Sequence, residues 1–213
     1  MPENWTVGKA EDFFDISIGK TPPRKEPQWF TTDPCDVVWV SISDMGNCGM
    51  FISESSEYLT AESVTRFNIK IMPSGTVFLS FKLTVGRVAI ADGKMTTNEA
   101  IAHFKKPDAT TVEYLYCYLK AFDYQSLGST SSIATAVNSK TIKTMPFIMP
   151  DNNVLAEFHA ITAKLFEQVQ INLAENRRLT TLRDVLLPRL MSGELSVANV
   201  VSNGTIEKNS FYE

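Results

Sequence analysis

The order of apolar and polar positions divides the chain into two unlike parts, with the change of texture near Pro146 and Pro150. Before it, short strand-like runs dominate. Residues 37–42 (VVWVSI) predict a buried strand, residues 76–83 (TVFLSFKL) a second and residues 86–90 (GRVAI) a third. Asp92-Gly93 between residues 89–91 and Met95-Thr96 has the chemistry of a hairpin turn. Residues 113–119 (EYLYCYL) follow Thr110 and Thr111, which supply a capping residue, and predict a short helix whose tyrosines pack at the core and its rim.

After Pro150 a single helical pattern runs from about residue 153 to residue 187 without Gly or Pro inside it, and Pro188 is expected to end it. At 1.5 Å per residue that is roughly 50 Å, well beyond an average globular helix. Every seventh position from Phe158 reads Phe158, Leu165, Asn172, Leu179, Leu186. The companion register reads Leu155, Thr162, Val169, Asn176, Arg183. This is an imperfect heptad seam with two asparagines in its middle, flanked by Ile161, Phe166, Leu173 and Leu182. Two readings fit: a helix that covers the core of the preceding domain, or one that pairs with another long helix. Asparagines within an apolar seam favour pairing, because they fix register and partner at some loss of stability.

Composition adds bounds. Of 213 residues, 44% are hydrophobic and 21% charged, an ordinary globular balance that excludes disorder and fibrous repeats. The formal net charge of −4 gives no global support for binding nucleic acid or an anionic membrane. The charge is uneven, however: residues 1–81 carry 6 basic and 11 acidic groups, and residues 82–143 carry 8 and 5. The second segment can therefore present a local basic patch. Three irregularly spaced cysteines, Cys35, Cys48 and Cys117, fit a reducing compartment. With no leader-like or membrane-spanning segment recognised, a soluble cytoplasmic protein is expected.

Catalytic signatures are scarce. The two histidines, His103 and His159, fall beside a strand-like run and on the long helix, and no CxxC, HExxH or GxSxG pattern occurs. Gly19-Lys20-Thr21 has the end of a phosphate-binding loop, but Phe14 stands where its first glycine belongs and Pro22-Pro23 where its helix begins. Asp92-Gly93-Lys94 matches the second half of a PD-(D/E)xK nuclease site without a first half upstream. No cofactor, metal site or catalytic residue is assigned.

Trp5-Thr6-Val7-Gly8-Lys9, followed by Asp15 to Pro22 (DISIGKTP) and Trp39 to Met45 (WVSISDM), resembles the opening of a target-recognition domain of the DNA-specificity subunits of type I restriction-modification systems. The run from Pro73 to Ile90 (PSGTVFLSFKLTVGRVAI) with Thr96 to Ile101 (TTNEAI) is its most specific piece. Leu127-Gly128-Ser129 through Pro150 resembles the exit from that domain, and Asn176 to Leu179 with Leu182 to Leu195 (LRDVLLPRLMSGEL) the end of its spacer helix. Full-length members carry two recognition domains and two spacer helices; this chain carries one of each.

The resemblance implies an α+β fold: a globular mixed α/β target-recognition domain over residues 1–150, a conserved spacer helix over 151–190 forming an antiparallel coiled coil, and a tail over 191–213. It implies a non-catalytic subunit that reads half of a bipartite target in double-stranded DNA. Its expected partners are modification (methyltransferase) subunits, restriction-translocation subunits and a second copy of itself, with no membrane. Candidate DNA contacts are Lys20, Thr21, Arg24, Lys25 and Gln28 in the Pro-rich loop, Ser80, Lys82, Thr84 and Arg87 around the central motif, and Ser129 and Thr130. The candidate dimer seam is Phe158, Leu165, Val169, Asn172, Asn176, Leu179 and Leu186. An anti-restriction half-subunit that binds modification subunits without reading DNA, and a nuclease using Asp92, are the alternatives.

Overall fold

The computed structural model describes residue 2 and residues 4–105, 108–127 and 138–195. Ser129, Thr130 and the tail beyond residue 195 lie outside the described residues. From the amino terminus the elements are β1 (Thr6–Lys9), α1 (Ala10–Phe13), β2 (Asp15–Ile18), β3 (Phe30–Thr31), β4 (Val37–Val40), α2 (Ile42–Asn47), β5 (Phe51–Ile52), β6 (Tyr58–Leu59) and α3 (Ala61–Arg66). They continue with β7 (Val77–Ser80), β8 (Val88–Ala91), β9 (Met95–Thr97), β10 (Ile101–Lys105), α4 (Val112–Ala121), α5 (Ser139–Lys143), β11 (Pro146–Met149) and α6 (Asn152–Met191). The fold is thus a mixed α/β domain followed by one long helix.

Among the described residues three sheets organise the domain: β2-β10-β7-β8-β5, β3-β6-β4-β9, and the antiparallel ribbon β1-β11. The run that reads as continuously apolar, Val77-Phe78-Leu79, lies in β7 between two neighbours and is buried throughout, as a strand covered on both faces must be. Phe78 joins Val40, Met45, Ile52, Met72, Ala89, Met95 and Ile101 in the main core. A second cluster gathers Trp39, Leu59 and Ile69, and a third is aromatic, centred on Phe147.

Several local expectations are corrected. The strand foreseen over 37–42 stops at Val40, because Ser41 and Asp44 form a capping box: Ser41 Oγ accepts from the Asp44 amide at 3.2 Å, and the Asp44 carboxylate accepts from the Ser41 amide at 2.8 Å. Asp92-Gly93 joins strands of different sheets rather than a hairpin. β8 pairs with β7 and β5, whereas β9 runs parallel to β4. Thr111 makes no side-chain cap for α4; Asp108 instead accepts from the Thr110 amide and caps the 3-10 turn that precedes it. Pro188 lies inside α6, which runs on to Met191. Proline forfeits its amide donor and its ring crowds the carbonyl of Asp184, and the helix bears that cost with one further turn before Gly193, at φ +77°.

His103 shows what the sheet does with a buried polar group. It is 1% exposed in β10, with Nε2 2.7 Å from Thr97 Oγ1 and Nδ1 3.3 Å from Ser17 Oγ. Burial, with a smaller effect of Lys70, pulls its pKa down to about 4. The imidazole is neutral in the fold, while the unfolded chain takes up a proton below about pH 6.5. Stability is therefore full above pH 6.5 and falls as pH drops toward 4, by about 3 kcal/mol in all. Urea unfolding from pH 7.5 to 4.5 should show this slope, and His103→Gln should remove most of it. An unchanged slope in the variant would assign the acid sensitivity elsewhere.

The described residues form two compact units, divided between Gln170 and Ile171. In the first, α6 starts at an Asp151 cap, whose carboxylate accepts from the Asn153 and Val154 amides at 2.9 and 3.1 Å. Leu155 is buried, His159 Nδ1 lies 3.0 Å from Glu113 Oε2, and Gln170 Nε2 donates to Asp92 Oδ1 at 2.7 Å. Phe166 sets its edge against Phe51 and Tyr116. The first turns of the helix thus do cover the core, as one of the two sequence readings has it. In the second unit Leu179, Leu182, Val185 and Leu187 are each about half exposed within the single chain.

Candidate nucleic-acid interface

Two segments carry the candidate contacts, and the structure brings them to one carboxylate. The first is the loop after β2. Gly19 starts it, held by hydrogen bonds from its amide to the Ile101 carbonyl and from the Lys20 amide to the Thr97 carbonyl. A side chain at Gly19 would collide with Thr97 and the Asn98 carbonyl, so glycine is required by close approach of backbone and not by phosphate. Thr21 donates to Glu99, and Lys20 Nζ donates to the Phe67 carbonyl at 2.6 Å.

Arg24 is held firmly. Its guanidinium forks onto Glu57 with two hydrogen bonds of 2.9 Å and stacks over Phe30 and Trp39, 4.2 and 4.6 Å from the ring centroids. Gln28 reaches Glu26 at 3.4 Å, and Lys25 is exposed.

The second segment is the loop that joins β7 to β8. Ser80 is fully buried: its Oγ donates to the Thr84 carbonyl at 2.5 Å and accepts from the Arg87 amide at 3.0 Å. It shapes the loop and is out of reach of a ligand, which corrects its place among the candidate contacts. Arg87 is only partly exposed; its Nη1 donates to the Ile42 carbonyl at 2.6 Å, and the guanidinium packs where Gly46 has no side chain. That geometry makes it a strut between the loop and α2. Lys82 and Thr84 are exposed, as is Leu83 between them.

Glu99 was not a sequence candidate, yet it ties the segments together. Burial pushes its carboxyl up, but the Thr21 hydroxyl, its own backbone amide, Lys82 and Arg24 together hold it below the usual carboxylate range. Lys82 and Arg24, far apart in sequence, both act electrostatically on this carboxyl. Nothing in the spacing of Glu99 singled it out; only the pairing of strands does.

Of the seam candidates, Phe158 is half-buried edge-on against Tyr114, centroids 6.1 Å apart, so it belongs to the domain packing, a correction forced by the docking of the first turns. Leu165, Asn172, Asn176 and Leu179 are exposed, and Val169 and Leu186 partly so. Asp92, the residue a nuclease reading needs, has its carboxylate engaged by Gln170. Among the described residues no three His, Cys, Asp or Glu side chains cluster as metal ligands, and no helix is long and apolar enough to cross a membrane.

Comparison with known proteins agrees with this picture. The chain is 29% identical over 199 residues to the type I restriction enzyme HindI specificity subunit of Haemophilus influenzae, covering 92% of this chain and 42% of that one. It is 30% identical over 121 residues to the MjaIX specificity subunit of Methanocaldococcus jannaschii, covering 56% and 27%. The chain thus spans less than half the length of these curated relatives. Its fold is shared with the crystal structure of the HsdS subunit from Thermoanaerobacter tengcongensis, at TM-score 0.59, 18% identity, and coverage of 92% of this chain and 46% of that one. The S subunit from M. genitalium gives TM-score 0.58 at 16% identity, with 89% and 46% covered. Residues 2–179 match the family described as type I restriction modification DNA specificity domain, and with most of its length inside that match the chain belongs to this family.

Proposed function

We propose that the chain reads one half of a bipartite target in double-stranded DNA and scaffolds modification and restriction-translocation subunits, acting as a pair of copies joined through α6. The family match over residues 2–179 carries the reading, because it takes in the recognition domain and most of the long helix together. The chain covers 42% of a specificity subunit, one domain and one helix, so two copies would supply what a single relative holds in one chain. Two copies related by a two-fold axis read an interrupted palindrome. Exposed leucines along α6 supply the apolar seam.

In this reading the chain performs no chemistry. The net charge of −4 reflects a division of labour: modification subunits supply much of the grip on phosphate, and this chain supplies base contacts and spacing. The free chain accordingly binds DNA weakly. Co-expression with the modification subunit, co-purification, and mapping of methylated sites tests the whole proposal. The expected result is a stable complex that methylates an interrupted palindrome. A complex that forms but methylates no defined sequence would favour the anti-restriction alternative, and metal-dependent cleavage lost on Asp92→Ala would favour a nuclease.

A further inference from the structure

The tip of the loop between β7 and β8 is built in an unusual way. Leu83 is 96% exposed and has φ +61°, a conformation that leucine rarely adopts. The Thr84 amide donates to the Lys82 carbonyl at 2.7 Å, which makes Leu83 the central residue of a γ-turn of the strained, positive-φ kind. Strain of this sort persists only where the surroundings over-determine it. Here they do. Ser80 Oγ grips the Thr84 carbonyl from inside, the Gly86 amide donates to the Ser80 carbonyl at 3.0 Å, and Phe81, 1% exposed, anchors the base with its amide on the Ala100 carbonyl. Gly86, at φ +90°, leaves room for the Tyr124 ring beside it.

A rigid base therefore holds Leu83 out in solvent, with Val85, 36% exposed, two residues on. The neighbours say what it meets. Lys82 and Thr84 flank it, both exposed; Arg87 is turned to the Ile42 carbonyl, and no residue from 80 to 91 is acidic, while the Glu99 carboxylate interacts with Lys82. An apolar tip inside a cationic, hydroxyl-bearing loop matches duplex DNA, where phosphate lies at the rim of a groove and apolar base surface lies within it. A protein partner would more often meet a wider apolar patch.

We infer that Leu83 is a specificity-determining residue of the recognition domain, placing its side chain against a base of the half-site while Lys82 holds adjacent phosphate. The inference rests on the DNA-reading function proposed above. The strain makes a clean test available, because Leu83→Gly and Leu83→Asn accept positive φ and should fold at least as well as the parent. Each variant is assembled with modification subunits and titrated with duplexes carrying the half-site identified by methylation mapping, every position substituted in turn.

Both variants are expected to lose about tenfold discrimination at one or two adjacent positions, with the thermal midpoint no lower than the parent's and the salt dependence unchanged. Leu83→Met, equally strained but still apolar, should keep most of it. Lys82→Ala should instead weaken all duplexes alike and lower the salt slope by about one. Undiminished discrimination at every position in Leu83→Gly and Leu83→Asn would overturn the assignment while leaving the DNA-reading function standing. Loss of the modification subunits with discrimination intact would overturn it in favour of a protein contact. Absence of any defined methylated site with the parent chain would overturn both.

Discussion

Glutamate at both Leu165 and Leu179 is expected to abolish the pairing of copies proposed through α6 while leaving the recognition domain folded. Both side chains are more than half exposed, 62% and 51%, so neither holds the single chain together to a large extent. In a two-fold seam each is buried in both copies. Four leucines contributing about 1.5 kcal/mol each amount to about 6 kcal/mol, roughly four orders of magnitude in Kd, before the added repulsion of buried carboxylates. Light scattering coupled to size exclusion at micromolar concentration reads the change directly. Far-ultraviolet circular dichroism and thermal unfolding should show the domain intact. A parent chain that is monomeric under these conditions, or a double variant that stays dimeric, would remove α6 as the joint.

Phe147→Ala should produce the largest loss of stability of any single change in the recognition domain. The ring is fully buried and meets four others, Tyr118 at 4.2 Å, Phe14 at 4.9 Å, Phe13 at 5.8 Å and Tyr114 at 6.1 Å between centroids. The two tyrosines also donate to the strand that carries it, Tyr114 to the Ile148 carbonyl at 2.8 Å and Tyr118 to the Pro146 carbonyl at 3.1 Å. Burial, with a smaller effect of Tyr118, pushes the Tyr114 phenol up to about 12, so it remains a donor over the whole working pH range. Removing the ring opens a cavity among groups held from several elements, which cannot collapse, and costs about 3–5 kcal/mol. Urea unfolding of the assembled or free chain measures this. A loss below about 1 kcal/mol would mean that the aromatic cluster relaxes around the gap.

The sequence made the two-part layout readable because each part has its own periodicity: short apolar runs at 76–83 and 86–90, of which the first is buried only as far as Phe81, then one uninterrupted helical stripe. Its ends were harder to place. Pro188 reads as a stop, but the 40-residue helix carries its lost amide donor and crowded carbonyl and continues to Met191. The capping box at Ser41 and Asp44 was visible as letters, yet the apolar Ile42 masked it by extending the strand pattern. Asp92-Gly93 carries hairpin chemistry that local reading cannot separate from a crossover, since only long-range pairing decides that β8 and β9 enter different sheets.

The candidate contacts divided for a similar reason. Residue type makes Ser80 and Arg87 look like ligand-facing groups, but one is buried beneath its loop and the other braces α2. Leu83 was passed over because an apolar residue in a strand-like run reads as core, and only backbone geometry reveals it at the tip. Lys82, with the same neighbours, kept the exposure that its type suggests.

The ribbon of β1 and β11 has a consequence for how such chains can change. Thr6 pairs with Met149 and Lys9 with Pro146, so the path into the domain and the path out of it lie side by side. Everything between Lys9 and Pro146 hangs from a closed two-stranded base, and α6 begins three residues after the base ends. Two related chains that share the ribbon could exchange the intervening segment by recombination at those two short sequences. Such an exchange would replace the two larger sheets in one event while α6 was inherited untouched.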